Sequence, residues 1–299
     1  MAGAFLWSIR RKRGNMKRNI RRELVDFSFL IPVLFFFGFS IIIPFISGLY
    51  IALTDWNGVS KEMNFVGIRN FINIFSNTDI LGPIKNTVIY TLIVTIVGNL
   101  ISLLLALAIN RKFIGRTFSR IAFFMPTSIS VILAVFIWGY IFRNVFHNLF
   151  GWNSLLGNKS TVLWGIAIIH MWIDVGINML VYLSSLTTVP QELYESADLD
   201  GANGIQKFFK VTLPLIVPAF TTCITLSLTY GLREFATPYA ATQGGPAGSS
   251  ETLGIYIYNH LMSYNKAGYG QAISVVFTIA LIAIGAILSG ALRKKEVEI

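Results

Sequence analysis

Two ionisable residues lie four positions apart within an apolar stretch of the chain. His170 and Asp174 share one face of a predicted helix, because residues at i and i+4 are neighbours on a helical surface. A later apolar run carries a second stripe at i, i+3, i+4 and i+7, which consists of Ser227, Tyr230, Gly231 and Glu234. An ionisable group at the centre of a membrane span costs at least about 2.5 kcal/mol and indicates a functional site.

The chemistry open to these residues is narrow. No third ligand accompanies His170 and Asp174, so a metal site is not predicted. The chain has only 3 His residues and no Ser/His/Asp arrangement, so no catalytic residue is predicted. The remaining role for these side chains is hydrogen bonding to a polar molecule. The alternative is a structural role, either in hydrogen bonds between helices or in an ion pair between Asp174 and Arg233.

The composition shows which elements hold these residues. Of the 299 residues 54% are hydrophobic and 13% are charged, whereas a soluble domain has about 25% charged residues. The net charge of +10 comes from basic residues beside apolar runs, so nucleic acid is not a predicted partner. Six runs are long enough to span a membrane: 27–53, 84–109, 118–142, 162–186, 215–235 and 271–292. The predicted fold is therefore an all-α membrane protein with six transmembrane helices.

The basic residues predict how this bundle is oriented. Of the 24 Lys and Arg residues, 17 lie on the side that holds both termini and 7 lie on the opposite side. The positive-inside rule then predicts that both termini are cytoplasmic. The chain divides into a basic N-terminal segment 1–25, a membrane domain 26–292 and a C-terminal tail 293–299. A polar loop at 188–214 falls on the cytoplasmic side.

This loop has a distinctive spacing. It reads Glu195-Ser-Ala, three residues, Gly201, nine residues, Val211, one residue, and Leu213-Pro214. The pattern predicts a short helix that ends at Gly201, where a glycine lets the chain reverse. Such a short helix is not stable alone in water, so it requires a groove on a partner.

The spacing resembles the EAA motif in the permease subunits of ABC importers. Ser196 replaces Ala and Val211 replaces Ile, both by residues of similar size. Two further segments, 54–71 and 244–258, resemble the outer loops of carbohydrate permeases. The resemblance extends from about Asp26 to the C terminus and is greatest to the maltose, glycerol-phosphate and oligosaccharide permeases.

The resemblance implies the type I ABC importer permease fold, with 188–214 as a coupling loop to a separate ATPase dimer. The implied coupling residues are Glu195, Ala197, Asp200, Gly201, Leu213 and Pro214. The chain contains no G-x-x-x-x-G-K-[ST] sequence, so ATP and Mg²⁺ are expected on the ATPase, and this chain is not expected to be an enzyme. The other implied partners are a second, homologous permease, an extracytoplasmic solute-binding protein, a sugar or oligosaccharide, and membrane lipid. The implied location is a prokaryotic cell membrane.

The same resemblance implies a substrate pathway. When the chain is aligned with the carbohydrate permeases from this loop, seven residues fall at positions that line the pathway. They are Thr127, which follows Pro126, the pair His170 and Asp174, and the stripe Ser227, Tyr230, Gly231 and Glu234. Two other functions remain open. One is a self-sufficient carrier in which Asp174 and Glu234 carry protons, and the other is a membrane enzyme that uses His170 and Asp174 as an acid/base pair. The charge of the sugar is not predicted.

Overall fold

A computed structural model describes residues 27–111 and 113–293 of the chain. The predicted segment 1–25 lies outside the described residues, as does the tail except for Arg293. Apart from one bridge between Thr54 and Phe65, regular structure in the described part is helical. This agrees with the all-α prediction.

The described residues form twelve helices, connected by turns and short 3₁₀ segments. They are α1 Phe27–Ala52, α2 Arg69–Ser76, α3 Thr78–Asn110, α4 Arg116–Phe124, α5 Val131–Phe150, α6 Val162–Thr188, α7 Gln191–Leu199, α8 Gly204–Leu215, α9 Val217–Leu232, α10 Ala236–Thr242, α11 Leu253–Met262 and α12 Ala267–Arg293. Helices α1, α3, α5, α6 and α12 are long and apolar enough to cross a membrane. Helices α8 and α9 together form a sixth candidate span, bent by 70°.

The third span differs from the prediction, which placed one helix at 118–142. The chain instead forms α4, a 3₁₀ turn at Met125–Ser128 that contains Pro126, and then α5. Ser130 starts α5, because its hydroxyl accepts a hydrogen bond from the Leu133 amide at 3.3 Å. A proline that follows the end of one helix and a serine that caps the next separate two helices within one apolar run.

The fifth span also differs from its predicted bounds of 215–235. The regular helix α9 starts at Val217, and the bend falls at Ile216. Leu213 and Pro214 therefore belong to α8, on the loop side of the bend. The first, second, fourth and sixth predicted spans correspond to α1, α3, α6 and α12.

Helices α3, α6 and α9 form the centre of the bundle. Tyr90, Ile166 and Met179 are fully buried between them. Gly231 of α9 is packed closely on α3, since a Cβ atom there would lie 3.0 Å from Thr91 Cγ2. Helices α1, α11 and α12 form a second cluster at the end of the bundle opposite the loop 188–214, which we call the far end. Two of the central helices, α6 and α9, carry five of the seven residues predicted for the substrate pathway.

Candidate functional site

A cavity of about 340 Å³ lies between α5, α6, α9 and the start of α10. Its polar lining consists of His170, Asp174, Asn178, Ser227, Tyr230, Glu234 and Thr237. Apolar side chains, among them Ile173, Ile177 and Leu226, form the rest of the wall. Five of the seven residues predicted for the substrate pathway thus surround one space.

His170 and Asp174 form a pair on α6. Nε2 of His170 lies 3.2 Å from Oδ2 of Asp174, and the two side chains are 13% and 40% exposed. The Tyr90 ring meets the imidazole edge-on with the ring centroids 5.9 Å apart. The alternative ion pair between Asp174 and Arg233 is wrong, because the Arg233 guanidinium lies over the Tyr230 ring, 4.5 Å from its centroid.

Ser227 joins the three central helices. Its hydroxyl accepts hydrogen bonds from Asn99 Nδ2 of α3 at 3.1 Å and from Asn178 Nδ2 of α6 at 2.9 Å. The Tyr182 hydroxyl donates to Asn99 Oδ1 at 2.9 Å. This network fixes the relative positions of α3, α6 and α9 and leaves Ser227 at the cavity wall.

Asn178 was not among the predicted pathway residues. It lies four positions after Asp174 and eight after His170, so its place on the same helical face was readable from the spacing. Asn99 was also not predicted. Its partners are 128 and 83 positions away along the chain, so only the packing of the helices reveals its role.

Glu234 lies just beyond the end of α9. Its Oε1 accepts a hydrogen bond from the Thr237 amide at 2.7 Å, at the start of α10. A carboxylate at this position satisfies an otherwise unpaired amide at the helix N terminus. Glu234 therefore connects α9 to α10 while it lines the cavity.

Gly231 and Thr127, which were also predicted for the substrate pathway, are not among the residues that line this cavity. Gly231 faces α3, where the absence of a side chain allows the close packing described above. Thr127 donates its hydroxyl hydrogen bond to the Ile173 carbonyl of α6 at 2.8 Å. Both residues hold helices together around the cavity.

The loop 188–214, which we call the coupling loop after its predicted role, contains α7 and α8. Helix α7 ends in a Schellman turn: the Ala202 amide donates to the Ala197 carbonyl at 2.9 Å, and the Gly201 amide to the Asp198 carbonyl at 3.1 Å. Gly201 has φ +73°, the left-handed conformation that glycine adopts without strain. The prediction of a helix that ends in a reversal at Gly201 is confirmed.

Three further interactions shape the loop, and the last two of them join α7 to α8. Asn203 and Gln206 form a capping box at the start of α8. Lys207 Nζ lies 2.6 Å from Asp198 Oδ1, and the hydroxyls of Tyr194 and Thr212 are 2.9 Å apart. These bonds, all within the loop, give it a defined shape.

The predicted coupling residues differ in exposure. Glu195, Asp200, Gly201 and Pro214 are exposed, whereas Ala197 and Leu213 are partly buried. Apolar side chains are exposed beside them, and Leu199 is 90% exposed. A groove of about 590 Å³ runs between the loop and the end of α3, next to Tyr194 and Phe208.

A larger polar cavity of about 670 Å³ opens at the far end. His260 lies in the wall of this cavity, and burial lowers its pKa. The hydrogen bond between its Nδ1 and the Tyr256 carbonyl opposes this effect. Burial also raises the pKa of Tyr256. The main-chain amide of Asn64 lowers the pKa of Asp55. Within the described residues no group of three or more His, Cys, Asp or Glu is arranged to hold a metal ion.

Residues 98–295 match the family model described as binding-protein-dependent transport system inner membrane component. The chain is 31% identical over 276 residues to the probable starch degradation products transport system permease protein AmyD of Thermoanaerobacterium thermosulfurigenes, covering 90% of this chain and 94% of that protein. It is 33% identical over 283 residues to the arabinooligosaccharides transport system permease protein AraP of Bacillus subtilis, covering 89% of this chain and 87% of the relative.

The fold has a counterpart among solved structures. A chain of a bacterial ABC transporter involved in the import of the acidic polysaccharide alginate superposes with a TM-score of 0.82. The two chains are 22% identical, and the match covers 94% of this chain and 99% of the other. The likeness concerns the fold alone and agrees with the predicted permease fold.

Proposed function

This chain belongs to the binding-protein-dependent transport system inner membrane components, the permease subunits of ABC importers, and from that premise we propose which cargo it carries and how it is driven. The chain would translocate a sugar or oligosaccharide that an extracytoplasmic solute-binding protein delivers. A separate ATPase dimer would bind ATP and Mg²⁺. The chain itself acts as a translocation subunit and catalyses no reaction.

The coupling loop is the observation that carries this proposal. It is braced internally by the Schellman turn and the capping box, yet its apolar side chains Leu199 and Ile205 are 90% and 72% exposed. A surface that is rigid, apolar and exposed beyond the spans is typical of a docking site for another protein. Glu195 is exposed on α7, the helix that also carries Leu199, and would reach basic groups of the ATPase.

The charge distribution supports a cytoplasmic position for this loop. The side of the chain that carries the coupling loop also carries 17 of the 24 Lys and Arg residues. By the positive-inside rule, the loop and both termini would lie in the cytoplasm, where ATP is available, and the proposed host is a prokaryotic cell. The spans would contact membrane lipid.

Motion of the loop has a direct route to the cavity. The hydroxyls of Tyr194 and Thr212 connect α7 to α8, and α8 continues through the bend at Ile216 into α9. Helix α9 carries Ser227 and Tyr230 at the cavity wall. Closure of the ATPase dimer would therefore be transmitted to α9. Because Ser227 is bonded to α3 and α6, the three helices would move together as one rigid body, the kind of motion that alternating access uses.

The cavity suits a carbohydrate. Its amide, hydroxyl and carboxylate groups match the donors and acceptors of sugar hydroxyls, and Tyr230 offers an aromatic face for a sugar ring. Leu226 and Tyr230 are exposed at the surface of this chain, so the cavity is open on one side. A second, homologous permease facing that side would enclose the pathway.

Reconstitution tests the proposal. The chain, its co-encoded second permease and its ATPase are placed in proteoliposomes, and uptake of labelled oligosaccharides is measured with the co-encoded solute-binding protein. We expect uptake that requires both ATP and the binding protein. Glu195→Lys should abolish uptake and detach the ATPase, because the charge reversal repels the basic groups that Glu195 is proposed to meet.

Glu62→Lys is the matched control, since Glu62 is also exposed but lies on a loop at the far end. It should leave uptake and ATPase binding unchanged. Uptake by the isolated chain without ATP would refute the proposal in favour of a secondary carrier. Retained uptake with Glu195→Lys would refute the coupling role.

A further inference from the structure

The cavity between α6 and α9 contains two carboxylates, those of Asp174 and Glu234. Of the described residues that line it, none is Lys or Arg. His170 is the one titratable nitrogen base in the wall, and it is already paired with Asp174. Even with a protonated imidazole, the groups in the wall carry a net negative charge.

Each carboxylate keeps an oxygen for a ligand. Asp174 meets His170 through Oδ2, and Glu234 accepts the Thr237 amide through Oε1. Within the described part of the chain, Oδ1 of Asp174 and Oε2 of Glu234 accept no hydrogen bond. These two oxygens can only accept hydrogen bonds. They can accept them from the hydroxyl groups of a sugar, but an ionised carboxylate or phosphate group has no hydrogen to donate to them.

Arg233 precedes Glu234 in the chain but is not among the residues that line the cavity. Its guanidinium lies 4.5 Å from the Tyr230 ring centroid and the residue is exposed. A cation over an aromatic face interacts with the ring quadrupole. Tyr230 and the neutral groups of Asn178 and Ser227 complete a lining that suits an uncharged sugar.

We propose that the cargo is an uncharged oligosaccharide, and that Asp174 and Glu234 exclude sugars that carry carboxylate or phosphate groups. This inference rests on the proposed function and adds the charge class of the cargo. Like charges brought together in a partly desolvated site are strongly unfavourable. The two carboxylates thus act as a charge filter while they bind sugar hydroxyls.

The test compares one neutral oligosaccharide with its aldonic acid, which is oxidised at the reducing end and has almost the same shape. Uptake is measured in proteoliposomes that hold the full transporter and is divided by the concentration of sugar-loaded binding protein. This normalisation removes any preference of the binding protein. We expect the neutral sugar to be carried at least about tenfold faster than the aldonate.

Asp174→Asn and Glu234→Gln keep the shape of each side chain and remove its charge. Each variant should raise aldonate uptake relative to neutral uptake by about fivefold or more. Glu62→Gln, at an exposed far-end position, should leave the ratio unchanged. Equal transport of both sugars by the unmodified chain, or an unchanged ratio in both variants, would overturn the charge filter. Absence of any ATP-dependent sugar uptake would instead overturn the proposed function, and this inference with it.

Discussion

The coupling loop and the cavity differ in the sequence distance between the residues that form them. Every bond that shapes the loop joins residues at most 18 positions apart, with Tyr194 and Thr212 as the most distant pair. In the cavity, Ser227 accepts hydrogen bonds from residues 128 and 49 positions away. The loop is therefore local structure, whereas the cavity exists only when α3, α6 and α9 are packed together.

This difference has a consequence for how each region fails. A local turn tolerates changes elsewhere in the protein and responds to substitutions that change its own backbone conformation. An assembled cavity depends on buried polar groups whose partners lie on other helices, and each unpaired group costs free energy. Substitutions in the loop should therefore affect coupling, and those around the cavity should affect stability as well.

The largest effect is expected for Gly201→Val. A β-branched residue at φ +73° is strained by at least about 1–2 kcal/mol, so the turn would open and the docking surface would change shape. We expect ATP-driven uptake to fall more than about tenfold, since 1.4 kcal/mol corresponds to a factor of ten. Unfolding of the purified chain in detergent should change much less than uptake.

Gly151→Val provides the control for backbone strain. Gly151 has φ +69°, and a Cβ atom added there would meet no other atom within 4 Å, as at Gly201. It follows α5 and lies outside the coupling loop. The same local strain should therefore leave uptake nearly unchanged. Equal losses in the two variants would show that strain, and not the loop, causes the defect.

Asn99→Ala tests the assembled region. The substitution leaves the Tyr182 hydroxyl without its acceptor and removes one of two donors to Ser227. We expect a loss of about 1–3 kcal/mol in the free energy of unfolding, measured by denaturant titration in detergent. Asn144→Ala is the control, because Asn144 is partly buried and donates to the Tyr140 carbonyl of its own helix. A similar loss of unfolding free energy in Asn99→Ala and Asn144→Ala would show that bonds between helices stabilise the protein no more than bonds within one helix.

Tyr182→Phe should have a smaller effect. It removes one hydroxyl and leaves Asn99 with its bonds to Ser227 and to the Thr95 carbonyl. Hydrogen bonds between membrane helices contribute about 0.6 kcal/mol on average, so we expect a loss near that value. The double variant with Asn99→Ala should lose less than the sum of the single losses, and strict additivity would show that the two residues act independently.

Lys207→Ala should have the smallest effect of the four. The pair with Asp198 is exposed on the Asp198 side, and many such pairs contribute nothing measurable, with typical values of about 0.2–1 kcal/mol. The Schellman turn and the capping box remain, so uptake should stay within about twofold of the unmodified chain. A loss as large as that of Gly201→Val would mean that the ion pair, and not the backbone turn, defines the loop.

Local structure was easier to predict from the sequence than the assembled cavity. The helix–turn at Gly201 and four of the six spans were predicted close to their observed bounds, because apolar run length and turn glycines are local signals. The single helix predicted at 118–142 was wrong. Pro126 and Ser130 carried the signal for a break, but the uninterrupted hydrophobicity of the run outweighed it.

For the cavity, helical periodicity was a partial guide. It correctly grouped His170 with Asp174 and Ser227 with Glu234, and it also predicted that Gly231 faces the same space. Gly231 faces α3 instead, because a stripe with spacings of i, i+3, i+4 and i+7 is wide enough to touch two neighbours. Periodicity gives the face of a helix, not the partner that covers it.

The sequence by itself determined the membrane class, the number of spans, the shape of the coupling loop and the placement of basic residues on one side. All of these depend on composition or on interactions between residues close in the chain. Only the tertiary structure decided that Asn99, Asn178 and Ser227 meet and that Asp174 and Glu234 line one cavity. These contacts join helices that are distant in sequence, and their geometry is set by how closely side chains such as that of Thr91 approach a glycine on the next helix.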